Sequence, residues 1–321
     1  MWQPGRVPTI DGDALASTGR PVLGAFGAMT ALAGAGLAYG WCEARWFTLR
    51  RVDMPVLPAG AHDLRVLHVS DLHITPTQHR KRAWLAMLSR LEPDLVVGTG
   101  DFIAHQQAVD PLLEALGPLL DVPGVFVLGS NDYFSPTVRN PLGYLLPDQG
   151  ERNTRSPRLP FGDLVDGLTG SGWVDLTNRR KSLPVDGLEI AFAGVDDPHL
   201  RYDDLRAVAG PADPEADVRV AVSHAPYLRV LDQFAADGYD AIFAGHTHGG
   251  QVCLPGGRAL VTNCDLETGR ARGLHRHPAR SHPGDPGSSW LHVSAGAGTS
   301  PYSAVRFACR PEATLLTLTP R

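Results

Sequence analysis

The feature that most constrains the fold of this chain is the stretch AIFAGHTHGGQ, residues 241–251, in which an apolar run ends in glycines and histidines. A short apolar run bounded by glycine is typical of a buried β-strand. His246 and His248 then lie just past its carboxyl end, where open α/β sheets place their ligand sites. Side chains two residues apart in extended backbone point the same way, so both imidazoles can face one metal ion.

Strand, polar turn and helix alternate in the first half of the chain, which predicts βαβ units with parallel strands. The predicted strands here are 64–69, 94–97 and 124–128, and helical spacing of leucines covers 78–91 and 107–120. Further strands are predicted at 173–177, 182–186, 188–194, 218–222, 290–295 and 305–318, with a loop over 265–288. The chain is therefore predicted to be an α/β protein.

Side chains that bind metals follow five of these apolar runs: Asp71 and His73, Asp101, Asn131, His224, and His246 with His248. Chance supplies one or two such coincidences but hardly five. Carboxylates and imidazoles together suit a first-row divalent cation better than an all-oxygen magnesium site. These groups exceed what one cation needs, whereas two cations that share a carboxylate would use them all. Paired cations are the arrangement that enzymes use for displacement at phosphorus.

These motifs resemble those of the calcineurin-like metallophosphoesterases over roughly residues 64–298. The similarity lies in Asp71-x-His73, Gly100-Asp101, a turn at 129–132, His224 and Gly245-His246-x-His248. The membrane-anchored bacterial branch looks most similar, given the apolar N-terminal segment and the stretches 194–198 and 245–251. The resemblance implies an α/β fold, a four-layer αββα sandwich with two mixed β-sheets, preceded by one N-terminal membrane helix.

The resemblance also implies a role for each of these groups. The first metal ion would be held by Asp71, His73 and His248, the bridging position taken by Asp101, and the second ion held by Asn131, His224 and His246. The metals expected at such ligands are Mn, Fe or Zn. A hydroxide that bridges both ions would attack the phosphorus atom. The residues expected to act directly in catalysis are Asp71, Asp101, Asn131 and His246.

The third motif departs from the family pattern, which is Gly-Asn-His followed by an acidic residue. This chain has Gly129-Ser130-Asn131-Asp132. Strict alignment makes Ser130 the ligand, whereas a one-residue backbone shift makes it Asn131. We favour Asn131 because an amide oxygen is the better donor to a hard cation. In both cases the histidine that would protonate the leaving group is missing, which typically costs about 10²–10⁴-fold and least for good leaving groups.

The missing histidine points to an activated substrate such as a pyrophosphate linkage, or to a substitute acid. His105 and His199 are the candidates for that acid, although a plain surface or hydrogen-bonded histidine is the commoner role. His68 and His292 lie inside apolar strands and are interpreted as core histidines. The acidic pair 196–197 either approaches the site or caps a turn.

The first sixty residues are predicted to precede the catalytic domain. Residues 1–20 are polar and expected to be disordered. Residues 21–42 are 22 uncharged positions, long enough for a transmembrane anchor, and Trp41 and Trp46 suit an interfacial belt. A cleaved signal peptide and a buried helix are the alternative interpretations. Arginines flank the segment on both sides, so they predict no orientation.

The remaining boundaries follow from proline content and from the motifs. Residues 43–60 are interpreted as a linker and residues 61–321 as the metallophosphoesterase domain. Within it, residues 134–160 are a proline-rich insertion of the kind that forms lids. The net charge of −5 gives no general basic field that would attract nucleic acid, so none is expected as a partner. The four cysteines show no CxxC spacing and predict no disulfide framework.

The sequence thus predicts a membrane-anchored phosphohydrolase with two divalent metal ions. Its substrate would be a phosphate ester or pyrophosphate, and the membrane segment and the long insertion suggest a lipid-linked one at the membrane. The alternative from another class is a non-catalytic metal-binding scaffold of the same fold. The missing histidine favours the scaffold slightly, whereas the other intact ligands favour an enzyme, because a scaffold needs none of them.

Overall fold

The computed structural model describes residues 29–137 and 154–321. The predicted disordered tail, residues 1–20, and the first part of the predicted membrane segment, residues 21–28, lie outside the described residues. Residues 138–153 of the predicted insertion also lie outside them, so its role as a lid stays a prediction.

The described residues form two β-sheets and the helices that cover them. The strands are β1 (Thr48–Leu57), β2 (Leu64–Val69), β3 (Leu95–Gly98), β4 (Gly124–Phe126), β5 (Val174–Asp175), β6 (Arg179–Val185), β7 (Leu188–Gly194), β8 (Val218–Ser223), β9 (Ala241–Ala244), β10 (Gly273–His277), β11 (Ser289–Val293) and β12 (Glu312–Pro320). The helices are α1 (29–43), α2 (His79–Ala86), α3 (Val109–Leu116), α4 (Ser130–Tyr133), α5 (Phe161–Gly170), α6 (Leu205–Val208) and α7 (Leu228–Ala236). Short 3₁₀ helices continue α2 and α3.

Both sheets are mixed. The first sheet has the strand order β1-β12-β2-β3-β4-β5, and the second has the order β10-β11-β9-β8-β7-β6. Strands β2 to β5 run parallel, and so do β7, β8, β9 and β11. Strand β12 runs antiparallel to β2, β6 to β7, and β10 to β11. The predicted βαβ units are confirmed by the run β2-α2-β3-α3-β4.

Alternating side chains along the strands build three apolar layers. In β3, Val96 packs with the helices on the outer face of the first sheet, while Leu95 and Val97 face the second sheet. In β9, Phe243 lies between the sheets, and Ile242 packs with α7 on the opposite face. Helix, sheet, sheet and helix therefore stack in four layers, which confirms the predicted αββα sandwich.

The prediction of a linker over residues 43–60 was wrong, because this stretch contains β1. The strand pairs in parallel with β12 and buries Met54 and Val56 between the sheets. Pro55, which suggested a linker, is exposed on this edge strand, where the sheet tolerates a missing N–H. The two-residue alternation of Val52, Met54 and Val56 was the overlooked signal of a strand.

Two predictions near the C-terminus also differ from the structure. Strand β10 lies within the predicted loop 265–288, and β12 begins at Glu312 rather than at residue 305. Residues 302–310 instead form an irregular segment in which the N–H of Phe307 donates to the carbonyl of Gln251. This segment lies directly against the fifth motif.

The helix α1 carries no charge from residue 29 to residue 42. Within the described residues, none of the helices has both the length and the apolar character needed to cross a membrane. The membrane anchor over residues 21–42 stays a prediction.

Candidate metal centre

The turns after β2, β3, β4, β8 and β9 carry all the predicted ligand groups and converge at one edge of the sandwich. In each sheet the carboxyl ends of parallel strands share an edge, which is where open α/β sheets place their sites. Contacts link the two sheets here: Nδ1 of His224 lies 2.6 Å from the carbonyl of Thr99, and the N–H of His246 donates to Asp71. The fold therefore assembles the site from both sheets.

The backbone at most of these groups is left-handed. The angle φ is 49° at Asp71, 44° at His73, 54° at Asp101, 67° at His246 and 48° at His248. Residues other than glycine rarely adopt this conformation because it is strained, and such strain clusters at functional sites. The sharp turns point these polar side chains inward directly after a buried strand.

Four of the groups form a compact buried cluster. The ligand atoms of Asp71, His73, Asp101 and His248 all lie within 4.8 Å of one another. Nε2 of His73 lies 3.3 Å from Nε2 of His248 and 3.5 Å from Oδ2 of Asp101. Oδ1 of Asp71 lies 3.5 Å from Nε2 of His248. Tetrahedral ligands about 2.1 Å from one cation are roughly 3.4 Å apart, so these separations fit a shared cation.

A second group lies on the other side of Asp101. Nε2 of His224 is 3.6 Å from Oδ1 of Asp101, so the two oxygens of one carboxylate face two different histidines. Asn131 contacts both oxygens of Asp101: its side-chain amide donates to Oδ2, the oxygen that also faces His73, at 2.7 Å, and its backbone N–H donates to Oδ1, the oxygen that faces His224. Rotation of the amide would present its oxygen instead of its nitrogen. The choice between Asn131 and Ser130 as the third-motif ligand stays a prediction.

The imidazole of His246 lies beside this second group, with its ring 5.2 Å from the ring of His224. Its Nε2 is 3.1 Å from the carbonyl of Asn263, and its backbone N–H donates to both carboxylate oxygens of Asp71. The structure thus brings all the predicted ligand residues to one place, although their division between two cations stays a prediction.

The electrostatics of the centre call for a cation. Burial by itself lowers the pKa of a histidine, but Asp101, Asp197 and Asp71 outweigh burial and raise the pKa of His224 to about 9. Burial raises the pKa of Asp71 to about 6. Among the described residues, the buried Nε2 of His224 has no hydrogen-bond partner. A divalent cation would neutralise the carboxylates and bind this nitrogen, so the residues present fit a metal.

The comparison with known families agrees with this geometry. The family model of the calcineurin-like phosphoesterases matches residues 64–250, more than half of the chain. The chain belongs to this family. The family prediction is confirmed, and with it the assignment of the chain as a metallophosphoesterase, a hydrolase.

Related metallophosphoesterases match nearly the whole chain. It is 28% identical to the UDP-2,3-diacylglucosamine pyrophosphatase LpxG of Chlamydia trachomatis, over 89% of this chain and 94% of that protein. It is 24% identical to the phosphodiesterase YaeI of Escherichia coli, over 87% of this chain and 90% of that protein. A solved 5′-nucleotidase precursor from Thermus thermophilus is similar with a TM-score of 0.39 and 14% identity, over 80% of this chain and 55% of that chain.

Asp132 is a buried carboxylate that joins two of the metallophosphoesterase motifs. Its Oδ2 accepts the N–H of Asp101 at 2.8 Å and that of Gly129 at 2.9 Å. Its Oδ1 accepts the N–H of Phe102 at 2.7 Å and that of Ile103 at 3.1 Å. The carboxylate therefore holds the Asp101 turn against the third motif. Asp132 is the acidic residue that closes the third motif of the family pattern. This was the signal from which sequence alone could have identified its role.

Gly245 shows why the fifth motif begins with glycine. A Cβ atom here would lie 1.9 Å from Oγ of Ser70 and 2.7 Å from Oδ2 of Asp71. The Ser70 hydroxyl itself donates to that oxygen at 2.5 Å, which orients the carboxylate. The first and fifth motifs can therefore meet only if this residue has no side chain.

Arg306, which sequence analysis missed, is a fully buried arginine that organises the backbone around His248. Its guanidinium donates to the carbonyls of His248 at 3.2 Å and Gly298 at 2.6 Å, and to those of Ala295 and Gly296. Nη2 also lies 3.3 Å from Nδ1 of His248. A lone arginine within a predicted strand gives no sequence signal, because its partners are backbone atoms of distant turns.

Glu43, in the last turn of α1, ties that helix to the same region. Its buried carboxylate accepts the N–H of Ala308 at 3.0 Å and that of Cys309 at 2.6 Å. The N–H of Arg306 donates to the carbonyl of Gly40 at 2.9 Å. The end of α1 is thus packed on the segment that holds Arg306, and is not a detached tether.

Of the two candidates for a substitute acid, the structure places His199 at the site. Its ring centroid is 4.5 Å from that of His246, and its Nδ1 is 3.2 Å from the hydroxyl of Tyr227. His105 is exposed, and its Nδ1 accepts a hydrogen bond from the N–H of Gln107. A catalytic role for His199 stays a prediction.

The other polar residues have structural roles. His68 and His292 are buried and their Nδ1 atoms lie 2.8 Å apart, which confirms them as core histidines. Asp197 is buried and caps a turn by accepting the N–H of Leu200 at 3.1 Å, and it also approaches the site, since its charge helps to raise the pKa of His224. Asp196 accepts the hydroxyl of Tyr133 at 2.9 Å.

We expect Asn131→Ala to lose roughly one of the two metal ions per chain that a dinuclear site would hold, because its amide lies against Asp101. Ser130→Ala is the matched control and should retain both ions. The metal content per chain, measured after manganese loading and desalting, shows whether Asn131 or Ser130 is the third-motif ligand. Loss of metal in Ser130→Ala alone would show that strict alignment of the third motif is right.

We expect Arg306→Lys to weaken manganese binding by about 10–100-fold, the usual effect of losing a partner that orients a metal ligand. Lysine keeps the charge but cannot reach the separate carbonyls that the guanidinium contacts. Arg310→Lys, four residues along the chain, is the control and should bind manganese as the unchanged protein does. Calorimetric titration with manganese gives the constants, and equal affinity in both variants would contradict this role of Arg306.

Proposed function

We propose that this metallophosphoesterase is a dinuclear phosphohydrolase. One cation would be held by Asp71, His73 and His248, the other by Asn131, His224 and His246, and Asp101 would bridge them. The observation that carries the proposal is the position of Asp101, whose Oδ2 lies 3.5 Å from Nε2 of His73 and whose Oδ1 lies 3.6 Å from Nε2 of His224. One carboxylate facing two ligand groups is what a pair of cations requires.

The two cations would supply an activated water and neutralise charge on the phosphoryl oxygens. The ligands are carboxylate, amide and imidazole groups, which suit Mn, Fe or Zn. The protein's own contribution is to hold these ligands in strained, buried turns. Asp132 and Arg306 fix those turns from behind, so little rearrangement is needed when substrate binds.

The third motif favours a substrate with a good leaving group. Asn131 stands where strict alignment places the family's histidine, and an amide cannot donate a proton in an acid–base step. A phosphate that leaves from a pyrophosphate linkage needs less protonation than an alcohol does. The chain is therefore better suited to a phosphoanhydride than to an alkyl phosphate.

We further propose that the substrate is lipid-linked and that the chain is anchored in a membrane through residues 21–42. Two features support this: the uncharged N-terminal segment, and the similarity along nearly the whole chain to a UDP-2,3-diacylglucosamine pyrophosphatase. The side of the membrane does not follow from the sequence. The scaffold alternative is disfavoured, because family membership and the compact cluster of ligands both point to an enzyme.

We expect Asp101→Asn to abolish manganese-dependent hydrolysis of bis-nitrophenyl phosphate and to reduce metal content in the same preparation. Neutralising the shared carboxylate removes about one full charge between the cations and leaves the shape unchanged. Asp121→Asn, at an exposed carboxylate, is the matched control and should hydrolyse normally. A metal-replete Asp101→Asn protein with full activity would exclude the dinuclear proposal.

The substrate class is tested by comparing kcat/KM for two substrates with the same pyrophosphate bond, a diacylated nucleotide-sugar in mixed micelles and a soluble nucleotide-sugar. We expect the acylated substrate to be favoured by at least about tenfold, since each buried methylene adds roughly 0.8 kcal/mol of binding. Faster hydrolysis of the soluble compound would contradict the lipid-linked substrate while leaving the phosphohydrolase proposal intact.

A further inference from the structure

The helix α1 projects from the domain with no covering surface over most of its described length. Met29, Leu32 and Leu37 are 65%, 73% and 66% exposed, and every residue from 29 to 39 is exposed, so this part of the helix is uncovered on all sides. A helix that is apolar all round is normally buried in protein or in lipid. In the sequence this uncharged stretch continues back to Pro21.

Exposed aromatic side chains lie at the end of α1, just after it, and on the segment 302–307, which packs against that end of the helix. Trp41, Trp46 and Tyr302 are each about half exposed, at 52%, 52% and 53%. Phe307 is also exposed, and its ring packs edge-on against Tyr39 with centroids 5.4 Å apart. We call these residues the aromatic belt: Tyr39, Trp41, Trp46, Tyr302 and Phe307. Two distant parts of the chain contribute to it, so sequence alone does not show it as a unit.

Arginines lie directly on the belt. The guanidinium of Arg45 sits 3.7 Å from the ring centre of Trp41, and that of Arg310 sits 3.4 Å from the ring centre of Trp46. Arg50 and Arg51 follow at exposed positions of β1. Tryptophan with adjacent arginine is the composition that suits a lipid–water interface, where the ring enters the headgroup layer and the cation contacts lipid phosphate.

A second copy of this chain is a weaker match to the same surface. Gly36-x-x-x-Gly40 is a small-residue motif that can pair two helices, but Gly40 is already in use. Gly40 is buried, and a Cβ atom there would lie 3.1 Å from the carbonyl of Arg306. Gly40 therefore serves close packing within the chain, which leaves Gly36 as the one exposed glycine of the motif, and the cluster of arginines would repel an identical surface.

The belt is continuous with the metal centre. The N–H of Phe307 donates to Gln251, and the N–H of Cys253 donates back to Phe307. The adjacent residue, Arg306, holds the carbonyl of His248. Tyr302 lies four residues after Gly298, whose carbonyl also contacts that histidine. The segment that carries Phe307 is thus packed directly against the loop that carries His248.

We propose that the aromatic belt and its arginines sit on the surface of an anionic phospholipid bilayer and hold the metal centre against it. This inference rests on the proposed membrane anchor and adds a second contact, made by the domain itself. The belt would present the site to a lipid-linked substrate at a fixed height. Residues from the N-terminal and C-terminal parts of the chain would act together in this contact.

The test uses the full chain reconstituted in vesicles of phosphatidylcholine with phosphatidylglycerol. Tryptophan fluorescence is quenched by lipids brominated either near the headgroup or near the bilayer centre. We expect Trp46→Phe to lose at least about a quarter of the quenching by shallow bromines and none of the quenching by deep ones, because belt residues lie in the headgroup layer. Trp290→Phe, on β11, is the matched control and should leave both unchanged.

A second measurement follows the surface without tryptophan. Amide hydrogen exchange over residues 300–308 should slow by about tenfold on anionic vesicles, and Arg45→Gln with Arg310→Gln should reverse most of that protection. Hydrolysis of bis-nitrophenyl phosphate should be unchanged in this double variant. If residues 300–308 of the double variant are still protected from exchange on phosphatidylglycerol vesicles, a role for the arginines is contradicted.

The outcomes separate the proposals. Flotation of the chain with vesicles, without shallow quenching from Trp46, would overturn the belt and leave the anchor standing. Absence of flotation would overturn both, while hydrolysis of the soluble diester would still stand as evidence of the phosphohydrolase. Cross-linking of Tyr302 or Trp46 between two chains, in place of lipid quenching, would show that a second copy occupies the surface and would overturn the proposal.

Discussion

The buried carboxylate of Asp101 is the group on which the rest of this site depends. A charge removed from water is costly unless it meets opposite charge or hydrogen bonds, and here histidines stand on both sides of it. The protein relieves the charge partly by raising the pKa of His224 to about 9. A cation would relieve it more completely, which explains why acidic and imidazole groups are gathered where a folded core would otherwise exclude them.

A buried charged ligand such as Asp101 must be held in a rigid frame of surrounding residues. In this frame most hydrogen bonds run from a side chain to backbone atoms. Asp132 collects N–H groups from the Asp101 turn, and Arg306 collects carbonyls from the turns around His248. Asp132 accepts hydrogen bonds and Arg306 donates them. Together they pair backbone N–H and carbonyl groups that the left-handed turns leave without partners. The strain at the ligand residues persists because these contacts fix it from several directions.

The same frame connects the site to the N-terminal helix. Glu43 and Gly40 of α1 contact the segment 305–310, which also contains Arg306. Residues 40–43 and 305–310 therefore meet behind the metal centre, and β1 pairs in parallel with β12 directly after these segments. Arg306 links α1 to the last ligand by direct contacts, because its N–H donates to the carbonyl of Gly40 and its guanidinium donates to the carbonyl of His248.

Sequence by itself determined the strands that precede the motifs, the convergence of their polar ends and the family, because alternation and strand-end chemistry are local patterns. It failed at β1, where prolines concealed an edge strand, and at β10 in a polar loop. Only the tertiary structure decided that Asn131 contacts Asp101, that Arg306 holds His248 and that the belt residues Tyr39 and Phe307 pack together. These depend on distances between segments far apart in sequence, and no local pattern encodes them.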